Sequence, residues 1–253
     1  MDFSNQSAED VLVPSVLPYY RKGIDFFHLE LVHLNVNIFI LDYVLAFPFG
    51  LFVPPGQSLF FRMVFSNFFD SSVLVITRVA TDHGAKVFTL PRFRNRIRAS
   101  VRAQFRAEFD SHLRKLRFDS EVKSLLKKAT VLRDSRLAHT LEDNVANQAN
   151  RESVRFGELK SLRDSLNSLL DGLGFNTEFM MLPLQYDPRV QHPKGTDSRP
   201  DIERLLDDIA HRSSLLNLPE LRPERWLHRR RQLSAGDIYV INSYRQKFGL
   251  DEV

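Results

Sequence analysis

A chain of 253 residues, 43% of them apolar, can bury a sizeable core as one large domain or as a domain with an appendage, and global disorder is excluded. It contains no cysteine, which excludes disulfides, thiolate metal sites and cysteine nucleophiles and suits the cytoplasm. The formal net charge is only +4, and positive residues gather over 92–117 and 225–231, so an anionic partner is expected at one face.

Glycine and proline are thin between residues 57 and 186, and apolar residues recur there at threes and fours, so the chain reads as all-α. A first apolar helix is predicted over 26–45. The run 34–53 approaches membrane-spanning length, but Asn35, Asn37, Asp42, Pro48 and Gly50 interrupt it. It reads as a core helix broken before Pro48, and no stable membrane association is expected. No basic segment leads into an apolar core with a small-residue cleavage site, so no secretory leader is expected. Ser58 caps a second helix that places Phe61, Phe65, Phe68, Ser72, Val75 and Val79 on one stripe, with Gly84 closing it.

A third helix starts near Thr89 and Pro91. Phe93, Ile97, Val101, Phe105, Phe109 and Leu113 form its apolar ridge, and Arg94, Arg98, Arg102 and Arg106 form a second ridge beside it. Like charges four apart repel, so this ladder needs an anion: RNA phosphates, or acids such as Glu108 and Asp110. A fourth helix, from about Ser120, turns Val122, Leu125, Ala129 and Leu132 to the core and carries the stripe on through Arg136 to His139. After a polar stretch over 142–153, Leu159, Leu162, Leu166, Leu169 and Leu173 mark an amphipathic helix closed by Gly172 or Gly174. Residues 187–200, rich in proline and charge, read as a linker between a domain over 1–186 and a helical extension over 201–253. In the extension, Ile202, Leu205, Leu206 and Ile209 mark a short helix. Ser234 and Asp237 form a capping box for a last helix ending at Gly249. Trp226 among arginines is expected to dock the extension and leave those arginines solvated, in preference to stacking on bases.

The chemistry concentrates in Leu132-Arg133-Asp134-Ser135-Arg136-Leu137-Ala138-His139. A histidine can move a proton near neutrality, and an arginine can hold a phosphate with two hydrogen bonds. Asp134 can orient Arg133 or His139, or simply solvate the surface. On one helix, Arg133 and His139 project about 120° apart, whereas Arg136 and His139 share a face. Two copies meeting across a symmetry axis would bring both arginines and both histidines to one cleft. The plain alternative is a solvated helix end whose histidine caps the dipole. No metal-ligand spacing, glycine-rich phosphate loop or serine-histidine-acid set is present, so no metal and no cofactor are expected.

The Arg-polar-x(4–6)-His pattern resembles the signature of HEPN domains. Residues 68–82, ending Thr77-Arg78-Val79-Ala80-Thr81-Asp82, together with Phe88-Thr89-Leu90-Pro91 and Val154-Arg155-Phe156-Gly157-Glu158-Leu159, resemble the AbiU-like branch in the order that branch uses them. The resemblance covers about residues 25–180. It implies an antiparallel helical bundle that dimerises and a metal-independent endoribonuclease leaving 2′,3′-cyclic phosphate ends, in phage defence or a toxin–antitoxin pair. Arg133 and His139 then take the catalytic places and Asp134 the polar one. Arg78, Arg94, Arg98, Arg102, Arg106 and Arg136 are the expected RNA contacts, although Arg78 has an ion pair as its competing role. RNA, a second copy of the chain, and an antitoxin or other regulatory protein are the expected partners, in the cytoplasm. Some HEPN toxins carry a modifiable tyrosine two residues after the histidine; Leu141 stands there, so that control is not implied. Other members bind without cutting, which leaves a non-catalytic helical RNA- or protein-binding adaptor as the alternative.

Overall fold

The computed structural model describes residues 6–54, 58–81, 87–134, 154–187, 189–191, 197 and 199–253. Among them all regular structure is helical, apart from one isolated bridge between Leu12 and Val101, and the fold is all-α. The chain forms two compact units: Met1–Phe39 with Asn67–Val190, and Ile40–Ser66 with Gln191–Val253.

In the first unit α1 (Ala8–Val11) is capped by Ser7, whose hydroxyl accepts the Asp10 N–H at 3.3 Å. α2 (Leu17–Ala46) starts nine residues before the helix expected from the sequence, with Pro18 in its first turn, where a missing N–H costs nothing. It ends before Pro48, as expected. Tyr20, Ile24, Phe27, Leu31, Leu34 and Ile38 alternate fours and threes along α2 and are all buried. α2 and α4 (Leu59–Ala80) are long and apolar enough, by length and composition alone, to cross a membrane. In this unit α2 spends its stripe on the core, and the side-chain amides of Asn35 and Asn167 bond each other reciprocally at 3.1 and 3.0 Å. α4 contributes Val73, Val75, Ile76 and Val79 to the same core.

The expected third helix is two helices. α5 (Leu90–Ala99) stops at Ser100, and α6 (Arg106–Lys115) begins after a short 3-10 turn, Ala103–Phe105. Between them the backbone bonds the N-terminal segment: Val13 N–H to the Ser100 carbonyl at 3.0 Å, and Arg102 N–H to the Val11 carbonyl at 2.9 Å. A ridge spaced only by fours explains the break. At 3.6 residues per turn each step drifts about 40°, and five steps would carry Leu113 about 200° around from Phe93. The corner resets the phase, so Phe93, Ile97, Val101, Phe105 and Phe109 all stay buried.

α7 (Phe118–Leu132) and α8 (Phe156–Asp171) complete the unit, the latter burying Leu159, Leu162, Leu166, Leu169 and Leu170. The Tyr20 hydroxyl donates to the Leu173 carbonyl at 2.9 Å, and burial pushes its pKa up.

In the second unit α3 (Phe49–Phe52) joins α9 (Asp201–His211), α10 (Ser214–Leu221), α11 (Pro223–Arg230) and α12 (Ala235–Lys247). Its core gathers Phe47, Phe52, Leu206, Ala210, Leu215, Leu216, Trp226 and Ile241. Arg245 is buried among them and donates to the Leu216 and Asp251 carbonyls and to the Glu220 carboxylate. Asp207 accepts Arg199 at 2.6 Å and Lys247 at 2.7 Å. Ser234 and Asp237 form the expected capping box on α12.

Candidate functional site

The site grows from the end of α7. Phe118, Val122, Ala129 and Leu132 face the core, and the apolar face gives out at Leu132. The next two residues, Arg133 and Asp134, widen into a π-type turn, a local geometry frequent at functional sites. The Arg133 backbone N–H donates to the Ala129 and Thr130 carbonyls. Its guanidinium closes on its neighbour, with Nε and Nη2 each 2.8 Å from Asp134 Oδ1. The Arg133 side chain is 22% exposed and that of Asp134 48%, so the pair sits at the surface with the arginine half-sheltered. Arg136 and His139 lie outside the described residues.

Two contacts bring other elements to this end of α7. Thr130 Oγ1 lies 3.3 Å from Thr81 Oγ1, just beyond α4. Each hydroxyl also donates to a carbonyl one helical turn back, Leu126 for Thr130 and Thr77 for Thr81, both at 2.9 Å. Lys128 Nζ lies 2.7 Å from Glu158 Oε1 in the first turn of α8. The Arg155 N–H, bound to Glu158 at 2.7 Å, holds that carboxyl below its usual range, and Lys128 adds to the effect. The C-terminal end of α4 and the N-terminal end of α8 therefore meet α7 at Thr130 and Lys128, in the last turns before Arg133. An α8 N-terminus here supplies a positive dipole end, which favours an anion nearby. Thr81, Thr130, Lys128 and Glu158 escaped the sequence reading, because threonines and a lysine–glutamate pair on different helices leave no periodic signal.

The remaining candidates are held by the protein itself. Arg78 pairs with Glu30 of α2; Asp82, its expected helical neighbour, lies outside the described residues. Arg94, Arg98, Arg102 and Arg106 do not form a ladder on one helix, because the corner at 100–102 separates them. Arg94 donates to both Asp119 oxygens at 3.0 and 2.9 Å. Arg98 grips Asp110 at 2.6 and 2.9 Å; this bond raises the arginine's pKa and lowers the aspartate's. Arg102 donates to the Leu12 and Glu9 carbonyls at 3.1 and 2.9 Å, and Arg106 to the Val101 carbonyl at 3.4 Å. The anion the ladder needed is thus supplied internally at Arg94 and Arg98. Arg102 and Arg106 instead brace the corner. Arg94 and Arg98 do line a surface cleft of about 320 Å³, joined by Arg114 and Arg117, which belong to the same basic segment but fell outside the expected ladder. Among the described residues no three histidine, aspartate or glutamate side chains converge as a metal ion would require.

In comparison with known families the HEPN_AbiU2 model, described as AbiU2, fits residues 51–187. The matched region contains Arg78, the four ladder arginines Arg94, Arg98, Arg102 and Arg106, and the whole run from Arg133 to His139. No curated protein and no solved structure matches the chain.

Proposed function

The chain belongs to the AbiU2 family of HEPN domains, and on that premise we propose that it is a metal-independent endoribonuclease of abortive infection, acting in the cytoplasm as a homodimer. The observation that carries this reading is the Arg-Asp-x(4)-His run inside the matched region, starting where the core-facing stripe of α7 ends. Arg133, Asp134 and His139 are the catalytic group. In the reaction the RNA 2′-oxygen bonds to phosphorus as its proton passes to a base. The bond from phosphorus to the 5′-oxygen breaks, and that oxygen takes a proton. The products end in a 2′,3′-cyclic phosphate and a 5′-hydroxyl. His139 of one copy takes the proton from the 2′-hydroxyl and delivers it to the leaving 5′-oxygen, beside Arg133 of the other copy. Arg133 stabilises charge on the pentacoordinate phosphorus, and Asp134, bonded to its guanidinium, fixes the plane of the fork. RNA, the second copy, and an antitoxin or other regulatory protein are its partners on this reading.

Purified protein is expected to cut cellular RNA in EDTA and leave cyclic-phosphate ends. His139→Ala should slow cutting by about 10²–10⁴-fold, the usual worth of a general acid or base. Unimpaired cutting by that variant would sink the assignment. RNA binding without cutting by either protein would favour an adaptor.

A further inference from the structure

A second concentration of positive charge lies outside the candidate active site. Residues 222–231 hold five arginines against one glutamate, a net +4 equal to that of the whole chain. The other 243 residues therefore carry 30 positive and 30 negative side chains and sum to zero. Trp226 is buried in the second unit's core and anchors α11 there, whereas Arg222, Arg225, Arg229, Arg230 and Arg231 are all exposed. Among the described residues, Arg222, Arg225, Arg230 and Arg231 have no acidic partner; Arg229 meets the neutral Gln232 at 3.1 Å and feels Asp237 only through its field. This is the reverse of Arg94 and Arg98, each gripped by an aspartate. Helix-end electrostatics do not account for the cluster: cations suit the last turn of α11, but Arg222 and Arg225 stand at its first, where the dipole opposes them.

The cluster also has a shape. Arg225, His228 and Arg229, with Glu224 among them, line a groove of about 740 Å³ whose other walls include the partly exposed Leu51, Val53 and Leu218. Cations along one wall and apolar side chains along another match a single nucleic-acid strand, with phosphates on the first and bases on the second. We propose that this groove of the second unit is a binding site for single-stranded RNA, separate from the cleavage residues. Leu221 and Leu227 are exposed nearby, as an anionic bilayer would require, but a bilayer cannot enter a groove and a strand can. That the strand is RNA rests on the ribonuclease reading; the groove and its charge do not.

The test is fluorescence anisotropy of the full chain with a short labelled 2′-O-methyl RNA, which lacks the 2′-hydroxyl and cannot be cut by the proposed chemistry. The double variant Arg225→Gln, Arg229→Gln should bind at least about tenfold more weakly, with a salt dependence shallower by about 1.4 on logarithmic axes. Arg204→Gln with Arg212→Gln removes the same charge from α9 and the residue that follows it, where each arginine pairs with an α9 aspartate, and should bind within about twofold of wild type. Equal loss in both double variants, no loss in the first, or binding of the wild type to phosphatidylserine vesicles but not to the oligonucleotide would each overturn the proposal. Oligonucleotide binding that depends on Arg225 and Arg229, in a protein that cuts no RNA, would uphold this site while removing the ribonuclease reading.

Discussion

Asp187 is a carboxylate kept charged against the surface of the first unit by Arg189, two residues on. Three side-chain hydrogen bonds from that guanidinium and one from the Arg189 N–H hold its pKa at about 2. Unfolded, the group would titrate near 3.9. A depressed folded-state pKa contributes stability that is fully present above the unfolded value and is lost as pH falls towards the folded one. Wild type and Asp187→Asn should therefore differ in thermal midpoint by a constant amount from neutrality to about pH 5, and the gap should close between about pH 4 and 2. A gap that persists at the acid end would show that packing, not ionisation, sets the difference. The same residue scale shows what spacing can and cannot reveal. Arg133, Asp134 and His139 stood out because their chemistry lies within one short run. The partner of Arg78 did not, because Glu30 lies 48 residues away and only the three-dimensional pairing of α2 with α4 brings it there.

Among the elements, the stretches misread from sequence are the corner at 100–102, where a ridge spaced only by fours must reset, and those where glycine or proline performs a packing task inside a helix. Pro18 and Gly23 made the first turns of α2 look unhelical. Gly23 is there because a Cβ would come within 2.2 Å of the Phe93 ring edge, a ring itself enclosed by Tyr19, Tyr20, Phe27 and Phe88. Gly23→Ala gains about 1 kcal/mol of helix propensity but overpacks a site that costs about 1–3 kcal/mol, so a net loss of up to about 2 kcal/mol is expected in chemical denaturation. Adding Phe93→Leu should recover part of that loss relative to Phe93→Leu alone, because the two positions share one volume. Strictly additive losses would contradict the steric account. Prolines hid α10 and α11 in the same way: Pro219 lies within the first, and Pro223 opens the second. By contrast, the leucine stripe of α8 and the capping box of α12 were legible in full, since their signals are local and no distant segment competes with them.

At the scale of the whole molecule, the proposed dimer makes a prediction that a single chain cannot satisfy. Arg133→Ala and His139→Ala proteins, each inactive alone, should regain cutting when mixed, because about half of the randomly paired dimers would carry one intact arginine and one intact histidine at the shared cleft. Mixtures that stay silent, although exchange of subunits is shown by labelling, would rule out a site built from both copies. The all-α class and the core-facing stripes of α4, α7 and α8 could be anticipated from periodicity. That residues 40–66 pack with the C-terminal helices could not, since Phe47, Phe52 and Trp226 look the same in sequence whichever core they enter. One further consequence follows from α2. The family match begins at residue 51, within α3, yet the core of the first unit is built around Tyr20, Ile24, Phe27, Leu31, Leu34 and Ile38, all upstream of it. The border drawn by kinship is thus not a border along which the molecule can be severed. A fragment trimmed to residues 51–187 would strip from α5 and α8 the six buried side chains of α2, and an attempt to study the nuclease motif in isolation would begin with part of its core removed.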